Sequence, residues 1–201
     1  MKSYPSIEKN ILSGYPVYAF DKLDGSNIRA EWTPKRGFDK FGARKRLLDP
    51  NEEPLGEAVR LINEQTDELG KRLKKLRVEK ATLYFEFYGD NSFAGQHEDE
   101  DHQVVLFDVD IFKKGLMPPK DFIKFTEGLI VPELVYHGNP NQDFVQSVKS
   151  GSCPDVTFEG VVCKSATPKG LVKMFKIKSD AWLVKLKDKC GDDEELFNRL
   201  A

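Results

Sequence analysis

The chain has 201 residues, 39% hydrophobic and 32% charged, which describes a globular unit long enough to bury roughly 70% of its unfolded surface without metal or disulfide staples. Its 31 Lys+Arg against 33 Asp+Glu leave a formal charge of −2, so any contact with nucleic acid must come from basic residues focused locally. No apolar run reaches the roughly 18 residues of a membrane span. The charged opening, residues 1–10, is unlike a signal peptide, and Cys153, Cys163 and Cys190 are too scattered for a disulfide framework or zinc ribbon, so a cytoplasmic protein is expected.

Strand-like runs come first, at 16–20 and 27–32, and the turn chemistry of Thr33-Pro34-Lys35-Arg36-Gly37 predicts a hairpin across 26–42. One long helix is predicted over 55–78, because Leu55, Val59, Ile62, Leu69, Leu73 and Leu76 recur at helical spacing. Strands follow at 82–88 and 103–112, on either side of an acidic run, Glu98-Asp99-Glu100-Asp101, that reads as an exposed loop. Helices are predicted at 119–128 and 141–150, strands at 158–164 and 171–178, and a helix at 180–189 stopped by Gly191. Strands outnumber helices and do not alternate regularly with them, and no linker divides the chain. The expectation is one α+β domain, residues 1–201, with antiparallel sheets flanked by helices.

Five short segments carry chemistry. In Phe20-Asp21-Lys22-Leu23-Asp24-Gly25-Ser26-Asn27 a lysine leaves a strand and enters a turn where Gly25 permits close backbone approach to a ligand. Lys-x-Asp-Gly-x-Asn arises about 0.006 times per shuffled chain of this composition, so the six-residue pattern carries information. Tyr84-Phe85-Glu86-Phe87-Tyr88-Gly89 sets one carboxylate in an aromatic strand; taken alone, Glu86 could equally face solvent. Val104-Val105-Leu106-Phe107-Asp108-Val109-Asp110 is a buried-looking strand in which Phe107 alone reads as core. In Phe158-Glu159-Gly160-Val161-Val162-Cys163-Lys164 the odd spacing places Glu159 and Lys164 on opposite faces unless the strand bulges. Lys176 and Lys178 share a face in Lys173-Met174-Phe175-Lys176-Ile177-Lys178.

Together and in this order, the five resemble the nucleotidyltransferase motifs shared by ATP-dependent RNA ligases, DNA ligases and mRNA capping enzymes. The Lys-Leu-Asp-Gly-Ser-Asn form is most similar to the bacteriophage RNA ligase 2 family. Tyr4-Pro5-Ser6-Ile7-Glu8, Phe41-Gly42-Ala43-Arg44 and Gln96 after Phe93-Ala94-Gly95 fit the same family. The resemblance implies that Lys22 attacks the α-phosphorus of ATP and carries AMP as a phosphoramidate. It further implies that Glu86 accepts from the ribose, Phe107 stacks on adenine, Arg44 contacts phosphate, and Asn27 contacts the nucleotide or a bound 5′ end. Asp24 and Gly25 belong to the same nucleotide-binding turn, Lys176 and Lys178 hold the α-phosphate, and Glu159 holds Mg²⁺ or Mn²⁺. AMP would then pass to a 5′-phosphate of RNA, and a 3′-hydroxyl would displace it.

Lysine is a nucleophile only as the free amine, of which roughly 0.1% is present at about pH 7.4. Lys176, Lys178 and the metal are expected to depress the pKa of Lys22 by about two to three units. The local basic charge expected for RNA includes Lys35, Arg36, Lys40, Arg44, Lys45 and Arg46, with Lys71, Arg72, Lys74, Lys75 and Arg77 reading as a solvated helix face. Two departures stand out. Asp24 sits where phage relatives often carry His, and only 23 residues follow Lys178, too few for the oligonucleotide-binding barrel of DNA ligases and capping enzymes. With Asn27 standing where DNA ligases and capping enzymes usually carry Arg, the expected substrate is RNA rather than DNA, and an accessory protein for end recognition is an expected partner. The rival readings are a minimal DNA ligase or non-joining nucleotidyltransferase, and a noncatalytic nucleotide- or nucleic-acid-binding module.

Overall fold

The computed structural model describes residues 1–9, 15–90, 92, 97 and 99–201. The Phe93-Ala94-Gly95-Gln96 signature and Glu98 lie outside the described residues. In chain order the elements are β1 (Val17–Asp21), β2 (Ser26–Thr33), β3 (Gly37–Ala43), α1 (Gly56–Asn63), α2 (Thr66–Lys75), β4 (Ala81–Tyr88), β5 (Gln103–Ile111), β6 (Gly115–Leu116), α3 (Pro119–Phe125), β7 (Leu134–Gly138), α4 (Gln142–Lys149), β8 (Gly160–Ala166), β9 (Val172–Lys178), α5 (Asp180–Cys190) and α6 (Glu194–Leu200). The strands form two open antiparallel sheets, ordered β3-β2-β4-β5-β6 and β7-β1-β8-β9. The expected α+β architecture holds, and neither sheet closes into a barrel. No helix among the described residues is long and apolar enough to cross a membrane.

Strand alternation decides what each face of the five-stranded sheet does. Ile28, Ala30 and Trp32 of β2 and Ala81, Leu83, Phe85 and Phe87 of β4 point into the main core, where Val59 and Ile62 of α1, Leu69 and Leu73 of α2 and Phe122 and Phe125 of α3 cover them. The opposite face is polar yet buried: Arg29, Glu31, Thr82, Asp108 and Asp110 are all under 5% exposed. Residues 1–9 cover part of it as a strap, with Lys2 on Asp110 at 2.5 Å, Tyr4 Oη donating to Asp108 at 2.8 Å and Arg29 donating to Ser3 Oγ at 3.1 Å. The strap then joins the other sheet, where Lys176 N donates to Glu8 O at 2.9 Å. Burying these charges is tolerable only because each finds a partner.

In the second sheet Val17, Ala19, Val161, Cys163, Phe175 and Ile177 pack against Phe144 and Val148 of α4. The helices expected at 141–150 and 180–189 form as α4 and α5; the structure adds their caps, Asn141 accepting from Phe144 N and Ser179 from Trp182 N, and Gly191 at φ 56° ends α5 where the stop was expected.

The long helix predicted over 55–78 is instead two helices, α1 and α2. The seven-residue step from Ile62 to Leu69 keeps the apolar stripe in phase across the break, so periodicity cannot reveal it. The chain turns at polar Asn63-Glu64-Gln65-Thr66, where Thr66 Oγ1 satisfies the Asn63 carbonyl and Gln65 Nε2 donates to Val104 O. The strand β7 and the helix α6 were not anticipated. β7 is a short edge strand without a strong apolar run, and α6 has only seven residues, capped by Asp193.

Candidate active site

The two sheets flank a cleft of about 700 Å³, and the turn from β1 to β2 crosses between them. Asp21 fixes the exit of β1 by accepting from Thr157 N at 3.1 Å and Thr157 Oγ1 at 2.9 Å. Lys22 follows, its backbone N–H on Gly160 O, so the lysine is anchored where the strand ends. Gly25 is required by its surroundings: a Cβ there would collide with the Phe87 carbonyl. Its N–H donates to Glu86 Oε1 at 3.1 Å.

All ten residues singled out from the sequence, Lys22, Asp24, Gly25, Asn27, Arg44, Glu86, Phe107, Glu159, Lys176 and Lys178, line this one cleft. Glu159 is its electrostatic hub, accepting from Lys22 Nζ at 2.6 Å and Lys178 Nζ at 2.8 Å. Gly160, at φ 131° and with no room for a Cβ beside Ile177 O, turns the chain just after Glu159. Alternation therefore does not extend back to Glu159, and Glu159 and Lys164 both reach the cleft. Their partners differ: Glu159 meets Lys22 and Lys178, and Lys164 meets Asp108. Asn27 and Glu86 sit opposite one another in the β2–β4 register and share a face. Asn27 Oδ1 is buried without a hydrogen-bond partner among the described residues, the state of an acceptor awaiting a ligand donor.

Phe107 reaches the cleft through an irregularity. Tyr84 pairs with Asp108 but Phe85 pairs with Leu106, leaving Phe107 as the extra residue of a β-bulge. A bulge re-aims a side chain, which corrects the expectation that Phe107 alone reads as core. Tyr4 packs edge-on against its ring at 5.0 Å. Behind it lies a pair that no local pattern joins: Lys164 Nζ donates to Asp108 Oδ2 at 2.9 Å and to Phe107 O at 2.8 Å. Lys164 and Asp108 stand 56 residues apart, and alternation in their separate strands carries no information about that contact.

The charges shift one another in a pattern opposite to the one expected. Burial works against the Lys22 ammonium, but Glu159 and Glu86 outweigh it and hold its pKa above the ordinary value. Lys176 and Lys178 instead are pushed down to about 8, by burial first and then by neighbouring cations, Lys22 among them. The reason is placement: Glu159 stands between Lys22 and Lys178, so the pair does not depress Lys22. Glu86 is pushed up to about 7, chiefly by burial, with Lys22 opposing and Glu159 adding.

Of the predicted basic cluster only Arg44 lines the cleft. Arg36, Lys40 and Arg46 are engaged by Asp39, Glu31 and Glu52, and Arg72 by Glu68 and the Phe125 carbonyl. Among the described residues no three His, Cys, Asp or Glu side chains cluster as a complete metal cage. Glu159 and the incompletely compensated Glu86 fit a hard divalent cation that keeps most of its ligands as water and substrate oxygens.

The RNA ligase family model matches residues 16–178. No curated protein matches the chain in a sequence comparison. Among solved structures, a Naegleria gruberi RNA ligase variant with ATP and Mn superposes with TM-score 0.69 at 18% identity, covering 93% of this chain and 59% of that one. The same enzyme with PPi gives 0.66 at 18% identity, covering 88% and 53%, and a further variant with ATP and Mn gives 0.65 at 17%, covering 88% and 52%. The chain thus spans between half and three fifths of the length of these neighbours, and at such identities they establish a shared fold. The family match does more, since it runs from the start of the first strand, β1, through the last of the ten cleft residues: the chain belongs to the RNA ligase family.

Proposed function

We propose that residues 1–201 form the nucleotidyltransferase domain of an ATP-dependent RNA ligase that works through a covalent AMP on Lys22. The observation that carries this reading is the position of Lys22 Nζ, inside the cleft and 2.6 Å from a glutamate whose other oxygen meets Lys178. The Lys22-Leu23-Asp24-Gly25-Ser26-Asn27 signature supports an RNA ligase 2 type of enzyme. The family match and the neighbours solved with ATP and Mn support nucleotide and divalent metal as ligands.

In the first step the Lys22 amine bonds to the α-phosphorus of ATP, the bond to the bridging oxygen of the β-phosphate breaks, and pyrophosphate leaves. Lys22 must first give up the proton that Glu159 and Glu86 hold on Nζ, so its pairing with Glu159 has to be released. Glu159, with Glu86 beside it, would hold Mg²⁺ or Mn²⁺, which when bound offsets phosphate charge and favours loss of the ammonium proton. Lys176 and Lys178 stabilise the α-phosphate oxygens as charge develops, and Phe107 offers a face for the base. Asn27 Oδ1 accepts from the nucleotide or the RNA end. In the second step a 5′-phosphate oxygen of RNA takes AMP from Lys22, breaking the P–N bond. In the third a 3′-hydroxyl attacks that 5′-phosphorus and AMP departs.

Incubation with ATP or GTP and Mg²⁺, followed by intact mass measurement, tests the reading. A gain of one AMP that disappears in Lys22→Ala is expected with ATP. No adduct, after any resident AMP is removed with pyrophosphate, overturns the covalent mechanism in favour of a binding module. Comparing nicked RNA, nicked DNA and single strands, with and without added cell proteins, then assigns the strand and any accessory partner.

A further inference from the structure

The last helix, α6, points its C-terminal end at the lysines rather than away from them. Lys9 Nζ donates to Asn198 O at 2.7 Å, Lys178 Nζ to Leu200 O at 2.9 Å and Lys176 Nζ to Ala201 O at 2.6 Å. Arg199 and Leu200 are part of the cleft wall. Three ammonium groups, one from the strap and two from β9, thus converge on carbonyl oxygens within four consecutive residues. Helix carbonyls near a C-terminal end carry partial negative charge and lack intrahelical donors, which makes them the closest backbone imitation of phosphate oxygens.

The helix is lightly held. It has no fully buried residue; Leu196, Phe197 and Leu200 rest, half-buried, on the small cluster formed by Trp182, Leu186 and Cys190 of α5. Further ties among the described residues include Lys187 over the Phe197 ring at 5.3 Å and Lys187 to Glu194 at 4.0 Å. The link to α5 is Gly191-Asp192-Asp193, exposed throughout, with Gly191 at a positive φ that glycine adopts freely. By contrast, α5 has three buried side chains and a capped start, so α6 can leave it without unseating it. Segments of low burial are those that open at small energetic cost.

We propose that α6 is an internal plug whose carbonyls occupy the positions that the triphosphate takes on Lys176 and Lys178, so that nucleotide and α6 compete for the cleft. The inference rests on the phosphate-binding role given to these lysines above. A site open only part of the time binds with its intrinsic constant divided by the open fraction, so releasing the plug tightens apparent affinity without adding a contact. Unlike Lys176 and Lys178, Phe197, which docks α6 on α5, does not line the cleft.

Hydrogen exchange on the full chain tests this, following residues 194–200 with no addition, with ATP and Mg²⁺, and with tripolyphosphate and Mg²⁺. Exchange is expected to rise several-fold with either anion. Phe197→Ser, which weakens docking on α5, is expected to bind ATP about 3- to 10-fold more tightly and to show fast exchange already without ligand. If an AMP adduct forms while exchange over 194–200 stays constant or slows, α6 remains docked over the nucleotide and the plug is overturned, with the nucleotide reading intact. If no adduct forms but tripolyphosphate still raises exchange, the plug stands and the covalent reading falls. If neither anion moves the helix, the plug fails even where Phe197→Ser misfolds.

Discussion

Two lysine–carboxylate systems border the cleft, and they differ in what surrounds them rather than in what they are made of. Lys164 and Asp108 are 4% and 1% exposed, with Tyr4 Oη and the Phe107 carbonyl completing their hydrogen bonds. Lys164 also lies over the Phe20, Phe107 and Phe122 rings. Lys22 is 22% exposed and shares Glu159 with Lys178. The first is a one-to-one pair locked by apolar walls; the second is one carboxylate divided between two ammoniums at the edge of a cleft. A pair this deeply buried is held fixed, and through the Lys164 bond to the Phe107 carbonyl it braces the Phe107 bulge. A shared carboxylate can exchange one partner for a cation or substrate and leave the other satisfied, which is what the nucleophilic role proposed for Lys22 requires.

The largest expected effect falls on the shared system. Lys22→Ala is expected to abolish the AMP adduct while leaving the unfolding free energy in urea within about 1 kcal/mol of the parent, because Glu159 keeps Lys178 as its partner. Lys178→Gln and Lys164→Gln then set the two systems against each other. Lys178→Gln is expected to slow adduct formation by about 10²- to 10³-fold, the scale of losing a transition-state donor, with little change in stability. Lys164→Gln strands the Asp108 charge in the interior and is expected to cost about 3 to 5 kcal/mol in urea unfolding, since breaking a buried pair from one side leaves the other ion uncompensated. Equal stability losses in the two variants would remove the distinction between a locked pair and an exchangeable one.

What the sequence made legible follows from the range over which each cause acts. The Lys22 turn, Glu159 and the β9 lysines were readable because each depends on neighbours within a few residues, and the stop of α5 at Gly191 was readable for the same reason. The break between α1 and α2 was not, because the apolar stripe stays in phase through it. The aim of Phe107 left a trace that alternation alone obscures: core positions shift from Val104 and Leu106 to Val109 and Ile111, the phase slip of a bulge. The Lys164–Asp108 pair and the contact of α6 with Lys176 and Lys178 are tertiary, and no local pattern encodes them. The pKa expectation for Lys22 was reversed on similar grounds. Counting cations near Lys22 in the sequence omits the carboxylate that three-dimensional packing inserts among them.

The smallest expected effect sharpens the same contrast through Glu86, which sits beside the shared system without a full counter-charge. Its pKa is pushed up to about 7, mainly by burial, against an ordinary value near 4.5. Between about pH 4.5 and 7 the unfolded chain has therefore released this proton while the folded chain still holds it. The folded state binds more protons there, so stability falls as pH rises through that window and levels off above it. Glu86→Gln removes this slope. The variant is expected to match the parent near pH 4.5 and to exceed it by about 1 to 3 kcal/mol above pH 7 in urea unfolding without metal. Mg²⁺ or Mn²⁺ is expected to narrow that gap in the parent by compensating the ionised carboxylate, and to do nothing comparable for the variant. Parallel pH profiles in the two proteins would mean that Glu86 is already compensated in the folded state, and the asymmetry between the locked pair and the cleft would then rest on Glu159 alone.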